Sequence, residues 1–225
     1  MNIANFLSGI SFLMGCFLCY YLDMKKIISN HEPVFIDFDQ NRKSVVLIPL
    51  TKKEDEWHIV FEVRASSISQ PGDVSFPGGA IEKGESLLET AVRETTEELG
   101  LKDKDIDVWG QCDTYWTGKN RIIYSFAGEI PFTKIHPNPS EVESIFTVPL
   151  NYLLKTEPKV YRTSVSEIPD EDFPYEKIQG GRKYRWMKAK KKVLFYEYDG
   201  HVIWGITAKI LNAFIKVVKD ETENI

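Results

Sequence analysis

Positive charge is in short supply. Against 33 aspartates and glutamates stand 28 lysines and arginines, a formal net charge of −5, which argues against nucleic acid as the main partner, because a phosphate backbone is held by a positive surface. Cysteine is scarce as well, with three in 225 residues. Cys16, Cys19 and Cys112 do not make a disulfide framework, and such thiol usage suits a reducing cytoplasm. Cys16 and Cys19 have C-x-x-C spacing but sit in an apolar run without a second pair, so they read as small apolar residues rather than zinc ligands or a redox couple. His31, His58, His136 and His201 show no ligand spacing. No internal repeat and no low-complexity tract is present.

Charge is missing altogether from Met1 to Leu22. That run is long enough to span a bilayer, which takes about 20 residues, yet it lacks the basic start and small-residue cleavage site of a secretory signal. Lys25 and Lys26 follow directly, and the positive-inside rule then leaves the rest of the chain cytoplasmic, tethered to the inner face of the membrane. A start at Met24 fits equally, with residues 1–23 a mispredicted extension. In both accounts residues 24–225 form one cytoplasmic domain, and the 43% hydrophobic and 27% charged fractions are those of a folded soluble protein.

Within that domain the runs Ser44–Leu50 and Trp57–Val63 read as buried strands joined by a charged turn at Lys52 to Glu56. A polar loop ending in Gln70-Pro71-Gly72 precedes a short strand, Val74–Phe76, and the turn Pro77-Gly78-Gly79. Asp105–Cys112 and Arg121–Ile130 read as a strand pair around a loop at Tyr115 to Asn120. Pro131–Val142 reads as a loop, Ser144–Val148 as a short strand and Tyr152–Leu154 as a helical turn. Glu157–Gly181 has no clear assignment. Tyr184–Met187 and Val193–Tyr198 read as hairpin arms, and Val202–Val218 as an amphipathic helix with Ile203, Ile206, Ile210, Ala213 or Phe214, and Val217 on one side. Strands mixed with a helix after the third strand and another at the C-terminus fit an α/β/α sandwich, with the topology left open.

The remaining stretch, Gly79 to Leu101, carries the chemistry. Ser86 and Glu89 have the spacing of a capping box, so a helix is expected to start there. Leu88, Ala91 or Val92, Thr95 and Leu99 give it an apolar face, and Gly100 stands where a left-handed helix stop belongs. Glu94, Glu97 and Glu98 are related as i, i+3 and i+4 and gather on one side, an arrangement that costs a few tenths of a kcal/mol per pair unless something positive neutralises it. Glutamates on a helix also serve solubility. The glycine turn just upstream favours the other reading, because it frees backbone carbonyls to face the same spot. Carboxylates with a carbonyl are hard oxygen donors suited to Mg2+ or Mn2+, and such a cation polarises a phosphate and helps deprotonate water.

This stretch resembles the Nudix box, G-x5-E-x7-R-E-U-x-E-E-x-G-U with U a bulky apolar residue. Every fixed position is matched, and Thr95 at the first U position is the one departure. The resemblance implies a Nudix-type α/β/α sandwich with a central mixed β-sheet, and hydrolysis of a nucleoside diphosphate linked to a second group. Phe61-Glu62-Val63-Arg64, the run Gly72-Asp73-Val74-Ser75-Phe76-Pro77-Gly78-Gly79, Pro139–Leu150 and Trp204–Ala208 are similar to the coenzyme A pyrophosphatase branch. That implies cleavage of coenzyme A or its thioesters to 3',5'-ADP and 4'-phosphopantetheine or its acyl form.

The same resemblance implies roles. Glu94 and Glu98 are expected to hold the metal, with Glu97 close by, the Gly79 carbonyl contributing and Glu85 acting at one remove or through water. Arg93 is expected to hold the carboxylates in place by charge-assisted hydrogen bonds, and Gly78 and Gly79 to receive the diphosphate. Glu141, on a loop after a late strand, and Glu98, acting on a metal-bound water, are rival general bases. Arg64 is expected to meet a substrate phosphate, although an arginine at a strand end also serves structure. Tyr115 and Trp116 either stack on an adenine or belong to the core. The basic stretch Arg182, Lys183, Arg185, Lys188, Lys190, Lys191 and Lys192 reads as a solvated hairpin, or as a site for the 3'-phosphate of coenzyme A or for anionic lipid. Two other functions keep the fold: hydrolysis of ADP-ribose, nucleotide sugars or oxidised nucleoside triphosphates, and a non-catalytic sensor of nucleotides or coenzyme A. The oligomeric state is open.

Overall fold

The computed structural model describes residues 26, 28–32, 38–118 and 120–222. The chain divides into two compact units, Met1–Gln40 and Asn41–Ile225. In the first, Phe38–Gln40 forms a short 3-10 turn. The apolar run Met1–Leu22, and with it the choice between membrane anchor and extension, lies outside the described residues. Among the described residues no helix is long and apolar enough to cross a membrane.

The second unit begins with β1 (Arg42–Lys53), which turns through Glu54 and Asp55 into β2 (Glu56–Arg64). Both turn residues have positive φ, 51° and 63°, the backbone twist that suits a two-residue hairpin. Then come β3 (Val74–Ser75), β4 (Gly78–Ala80), the box helix α1 (Leu87–Leu99), β5 (Asp107–Gln111), β6 (Tyr115–Trp116), β7 (Arg121–Glu129) and β8 (Val142–Pro149). Among the described residues these strands form one eight-stranded sheet with the path β3-β2-β1-β7-β5; β4 also pairs with β1, β6 with β7 and β8 with β2. The sheet is mixed. β1 and β7 run parallel, and the other pairs are antiparallel.

Alternation along the central strands builds two apolar layers. Val45 and Leu47 of β1 and Val60 of β2 face α1, where Ala91 and Leu99 are fully buried. Ile48, Leu50, Ile59 and Phe61 face the other way, toward α2 (Leu150–Lys155) and α3 (Gly205–Thr222). Helices on both faces of a mixed sheet make the α/β/α sandwich. Thr95, where the motif prefers a bulky apolar residue, is fully buried, and its hydroxyl donates to the Ala91 carbonyl at 2.7 Å. The hydroxyl is satisfied inside the helix, so the substitution leaves no buried polar group without a partner.

Three local expectations are corrected. Leu88 is 47% exposed; the neighbouring Leu87 packs instead on the layer beneath α1, because α1 begins at Leu87 and its inward stripe is offset by one residue. Tyr184–Met187 is not a strand. The C-terminal sheet is three-stranded, with β10 (Lys188–Tyr198) between β9 (Lys159–Ser166) and β11 (His201–Trp204). The signal was the pair Asp199-Gly200, whose positive φ values, 47° and 79°, close the β10–β11 hairpin. β9 escaped assignment because all eight of its residues are exposed, which removes the apolar alternation by which strands are read. Finally, α3 starts at Gly205, so Ile203 belongs to β11. Ala208, Leu211 and Ile215 are buried, while Ile206 and Val217 are exposed.

Candidate active site

The site is assembled where β4, α1 and the loop after β7 meet. The Ser86 hydroxyl accepts from the Glu89 N–H, and the Glu89 carboxylate accepts from the Ser86 N–H, so the helix start is fixed by its own first turn. At the other end Gly100 is left-handed, with φ 63° and ψ 27°. A side chain there would stand 2.1 Å from the His136 carbonyl oxygen. His136 and Asn138 donate their N–H groups to the carbonyls of Leu99 and Glu98. The loop that carries Glu141 is thus hydrogen-bonded to the last turn of the box helix.

Arg93 is the hub of the exposed half. Its guanidinium grips Glu85 with two donors, Nε to Oε1 at 2.6 Å and Nη2 to Oε2 at 3.1 Å. Nη1 donates to Glu94 at 2.9 Å and Glu97 at 3.0 Å, and Nη2 to the Ala80 carbonyl at 3.2 Å. This planar fork is what arginine, and not lysine, provides. Hydrogen bonds from Arg93 hold the Glu85 carboxyl down at about 2, and the same bonds push the Arg93 guanidinium up. Glu94 is raised, chiefly by its burial, with Arg93 opposing the shift.

Glu98 turns away from that network. Its Oε2 accepts from the Gly78 N–H at 2.8 Å, and its residue is buried. Burial raises its carboxyl, and the neighbouring charge of Glu62 adds to the rise. Glu62 itself is 2% exposed. Ser75 donates to its Oε1 at 2.8 Å, while Oε2 has no hydrogen-bond partner. Burial is again the first cause of its raised carboxyl. The charge of Glu141 pushes Glu62, Glu94 and Glu98 the same way, so four carboxylates act on one another here.

Gly78 and Gly79, expected in a turn after Pro77, pair instead with β1 as part of β4, and both glycines are required by contact. A Cβ on Gly78 would stand 2.2 Å from the Val45 carbonyl oxygen, and one on Gly79 would stand 2.2 Å from Glu94 Oε1. Gly78 also lines a cleft of about 240 Å3 whose wall includes Arg64, Asp73, Val74, Arg121 and Trp204. Arg64 donates to the Ser69 carbonyl at 2.9 Å, and Arg121 to the Ser44 hydroxyl at 3.3 Å. Trp204 Nε1 donates to Asp73 at 3.3 Å, which joins β11 to the loop before β3.

Of the residues singled out in the sequence, Arg93 brings Glu85, Glu94 and Glu97 together, while Glu98, from the same helix, is held by the Gly78 N–H, near enough to Glu94 for that charge to help raise its carboxyl. Among the described residues no three acidic, histidine or cysteine side chains stand as a ready-made metal cluster. Tyr115 is half-buried against the core, with Lys209 over its ring at 5.0 Å, whereas Trp116 is 67% exposed and donates to Asn41. The basic stretch divides between the short turn Gly181–Lys183, where Arg182 lies over the Tyr175 ring, the irregular segment with Arg185, and β10. Glu62, Arg121 and the Gly78 N–H were not anticipated. Glu62 had a signal: it is the one acid inside the apolar part of β2.

The NUDIX domain family matches residues 40–167. A Nudix hydrolase of Photorhabdus laumondii, NudL, is 30% identical over 80% of this chain and 87% of its own. The human mitochondrial coenzyme A diphosphatase NUDT8 is 35% identical over 80% of this chain and 70% of its own. Among solved structures, a MutT/nudix family protein from Enterococcus faecalis aligns with 91% of this chain and 69% of that one, at 13% identity and a TM-score of 0.47. The chain belongs to the Nudix hydrolase family.

Proposed function

We propose that this chain hydrolyses the diphosphate of coenzyme A or its thioesters, giving 3',5'-ADP and 4'-phosphopantetheine or its acyl form. The observation that carries the reading is the double duty of Gly78. Within the run that resembles the coenzyme A branch, it lines the cleft and its N–H holds Glu98. A diphosphate in the cleft would therefore lie beside the acidic cluster. The relative NUDT8, named a coenzyme A diphosphatase, supports the choice of substrate.

A divalent cation fits the residues present. The donors are hard carboxylate and carbonyl oxygens, Glu62 Oε2 is buried without a partner, and crowded carboxylates with raised pKa values are stabilised by a positive ion. Glu94, Glu97 and Glu98 would hold Mg2+ or Mn2+, with the Gly79 carbonyl and Glu85 in support. When bound, the ion supplies Lewis acidity toward the diphosphate and acidifies water. Arg93 keeps Glu85, Glu94 and Glu97 aimed, and Arg64 and Arg121 offer their guanidinium groups to the phosphates. Water adds to one phosphorus, the bridging P–O bond breaks, and the bridging oxygen leaves on the other phosphate. The proton passes to Glu141 or to Glu98. Both bases fit, since Glu141 is on the loop bonded to the end of α1 and Glu98 is held at Gly78.

Purified protein assayed with coenzyme A, ADP-ribose and 8-oxo-dGTP, each with Mg2+ or Mn2+, tests the proposal. Turnover of coenzyme A above the other two is expected. Robust turnover of ADP-ribose with none of coenzyme A would overturn it.

A further inference from the structure

A second cavity, of about 360 Å3, adjoins the cleft. Trp204, Gly205 and Ile206 belong to the walls of both. The two also meet through β6 and β7, where Tyr115 of the second cavity pairs with Ile123 of the cleft. The second cavity is rich in cations. Lys191 comes from β10 and Lys209 from the second turn of α3, with Thr163 of β9 beside them; the side chain of Lys192, next along the strand, points to the other face of the sheet. Strand pairing sets Lys191 directly across from Thr163. Lys209 Nζ donates to the Tyr115 hydroxyl at 3.0 Å, and Lys191 Nζ reaches the Thr117 carbonyl at 3.5 Å. These neighbours are neutral. Lys134, Lys159 and Lys219 each pair with a carboxylate, whereas among the described residues neither Lys191 nor Lys209 does. In a chain of net charge −5, two un-neutralised ammonium groups at one concavity, those of Lys191 and Lys209, make a local anion trap.

We infer that Lys191 and Lys209 form a second phosphate subsite, which receives a phosphate carried on the ribose of a substrate whose diphosphate lies in the adjoining cleft. The inference rests on the diphosphatase reading above and sharpens it, because it separates a nucleoside 3'-phosphate 5'-diphosphate from the same compound without its 3'-phosphate. The two phosphate groups flank one ribose, and the two cavities share the Trp204–Ile206 wall. Arg64 and Arg121 serve one, and the two lysines serve the other.

The test compares coenzyme A with dephospho-coenzyme A, for the wild type and for Lys191→Met and Lys209→Met, each of which keeps an unbranched apolar stem. Loss of one charged contact is expected to lower kcat/KM for coenzyme A about tenfold, mostly through KM. Turnover of dephospho-coenzyme A, which also reports that the variant is folded, is expected to stay unchanged. An equal loss on both compounds, or no loss on either, would overturn the subsite. Binding of 3',5'-ADP and 5'-AMP is measured in parallel. If the wild type cleaves neither coenzyme, the diphosphatase reading fails; the subsite still stands if 3',5'-ADP binds more tightly than 5'-AMP and Lys191→Met removes the difference. Equal wild-type affinities overturn it.

Discussion

The Gly78 N–H donates to Glu98 Oε2 at 2.8 Å, so a peptide that forms part of the cleft also orients an acid of the box helix. Neither partner moves freely. Gly78 pairs with Val46 in the β1–β4 ladder, and Glu98 is buried on the last turn of α1.

Substitution of the two β4 glycines is expected to separate stability from activity. At Gly78 the obstacle is backbone, with a Cβ 2.2 Å from the Val45 carbonyl oxygen and φ at +156°. Gly78→Ala is expected to cost about 1–3 kcal/mol, the usual range for overpacking, and to inactivate the protein. At Gly79 the obstacle is the Glu94 carboxylate, which can swing away. Gly79→Ala is therefore expected to melt closer to wild type while losing most of its turnover. Thermal melts alongside activity decide this, and full activity in Gly79→Ala would mean that the position of Glu94 is immaterial.

Stability should depend on pH in a direction set by the acids. Glu62 and Glu98 have carboxyls raised above their unfolded values, so the folded protein retains protons that the unfolded chain has released. Their contribution is complete below the ordinary carboxylate range and is lost as pH rises through the raised values. Glu85 works the other way. Its depressed carboxyl contributes above the ordinary carboxylate range and loses that contribution as pH falls toward about 2. Metal-free protein is expected to melt several degrees lower at pH 8.5 than at pH 5.5, at about 2–4 °C per kcal/mol. Saturating Mg2+ or Mn2+ should flatten the fall, and chelation should restore it. A melting temperature that is flat without metal would contradict the coupling.

Arg93→Lys keeps the charge and loses the fork. One ammonium cannot reproduce two bonds to Glu85 together with those to Glu94, Glu97 and Ala80. A loss of about 10–100-fold in activity or metal affinity is expected, the range found when groups that orient metal ligands are changed. Titrating activity against metal concentration checks it, since a positioning role predicts a weaker metal response.

How much could be read in advance follows from how local each device is. The ends of α1 were readable because the Ser86–Glu89 box and Gly100 act within one turn of themselves. Glu85, Arg93, Glu94 and Glu97 are spaced along one helix and its lead-in, so their meeting needs little beyond helical geometry. Glu62 showed only as the one acid in an apolar strand, and its role was hidden because its partners come from elsewhere in the chain, Ser75 from β3 and Glu98 from α1. The lysine cavity was hidden for the same reason. Lys191 was visible in a basic run, but Lys209 and Thr163 join it only through the β9–β10 pairing and the start of α3.

The two candidate bases can be told apart by pH–rate profiles. Glu141→Gln and Glu98→Gln each remove one proton acceptor with little change in shape. Loss of a general base lowers kcat about 100-fold or more and removes the acidic limb of the profile. Loss of a group needed only to hold metal lowers affinity for Mg2+ and leaves the limb in place once metal is saturating. Glu98→Gln also removes a buried charge whose carboxyl is raised by burial and by Glu62. The metal-free variant is therefore expected to melt above wild type at pH 8.5 although its activity is lost. Glu141→Gln relieves the same cluster less directly, so its melting temperature should rise less. An acidic limb that survives in Glu141→Gln and vanishes in Glu98→Gln assigns the base to Glu98, and the reverse pattern assigns it to Glu141.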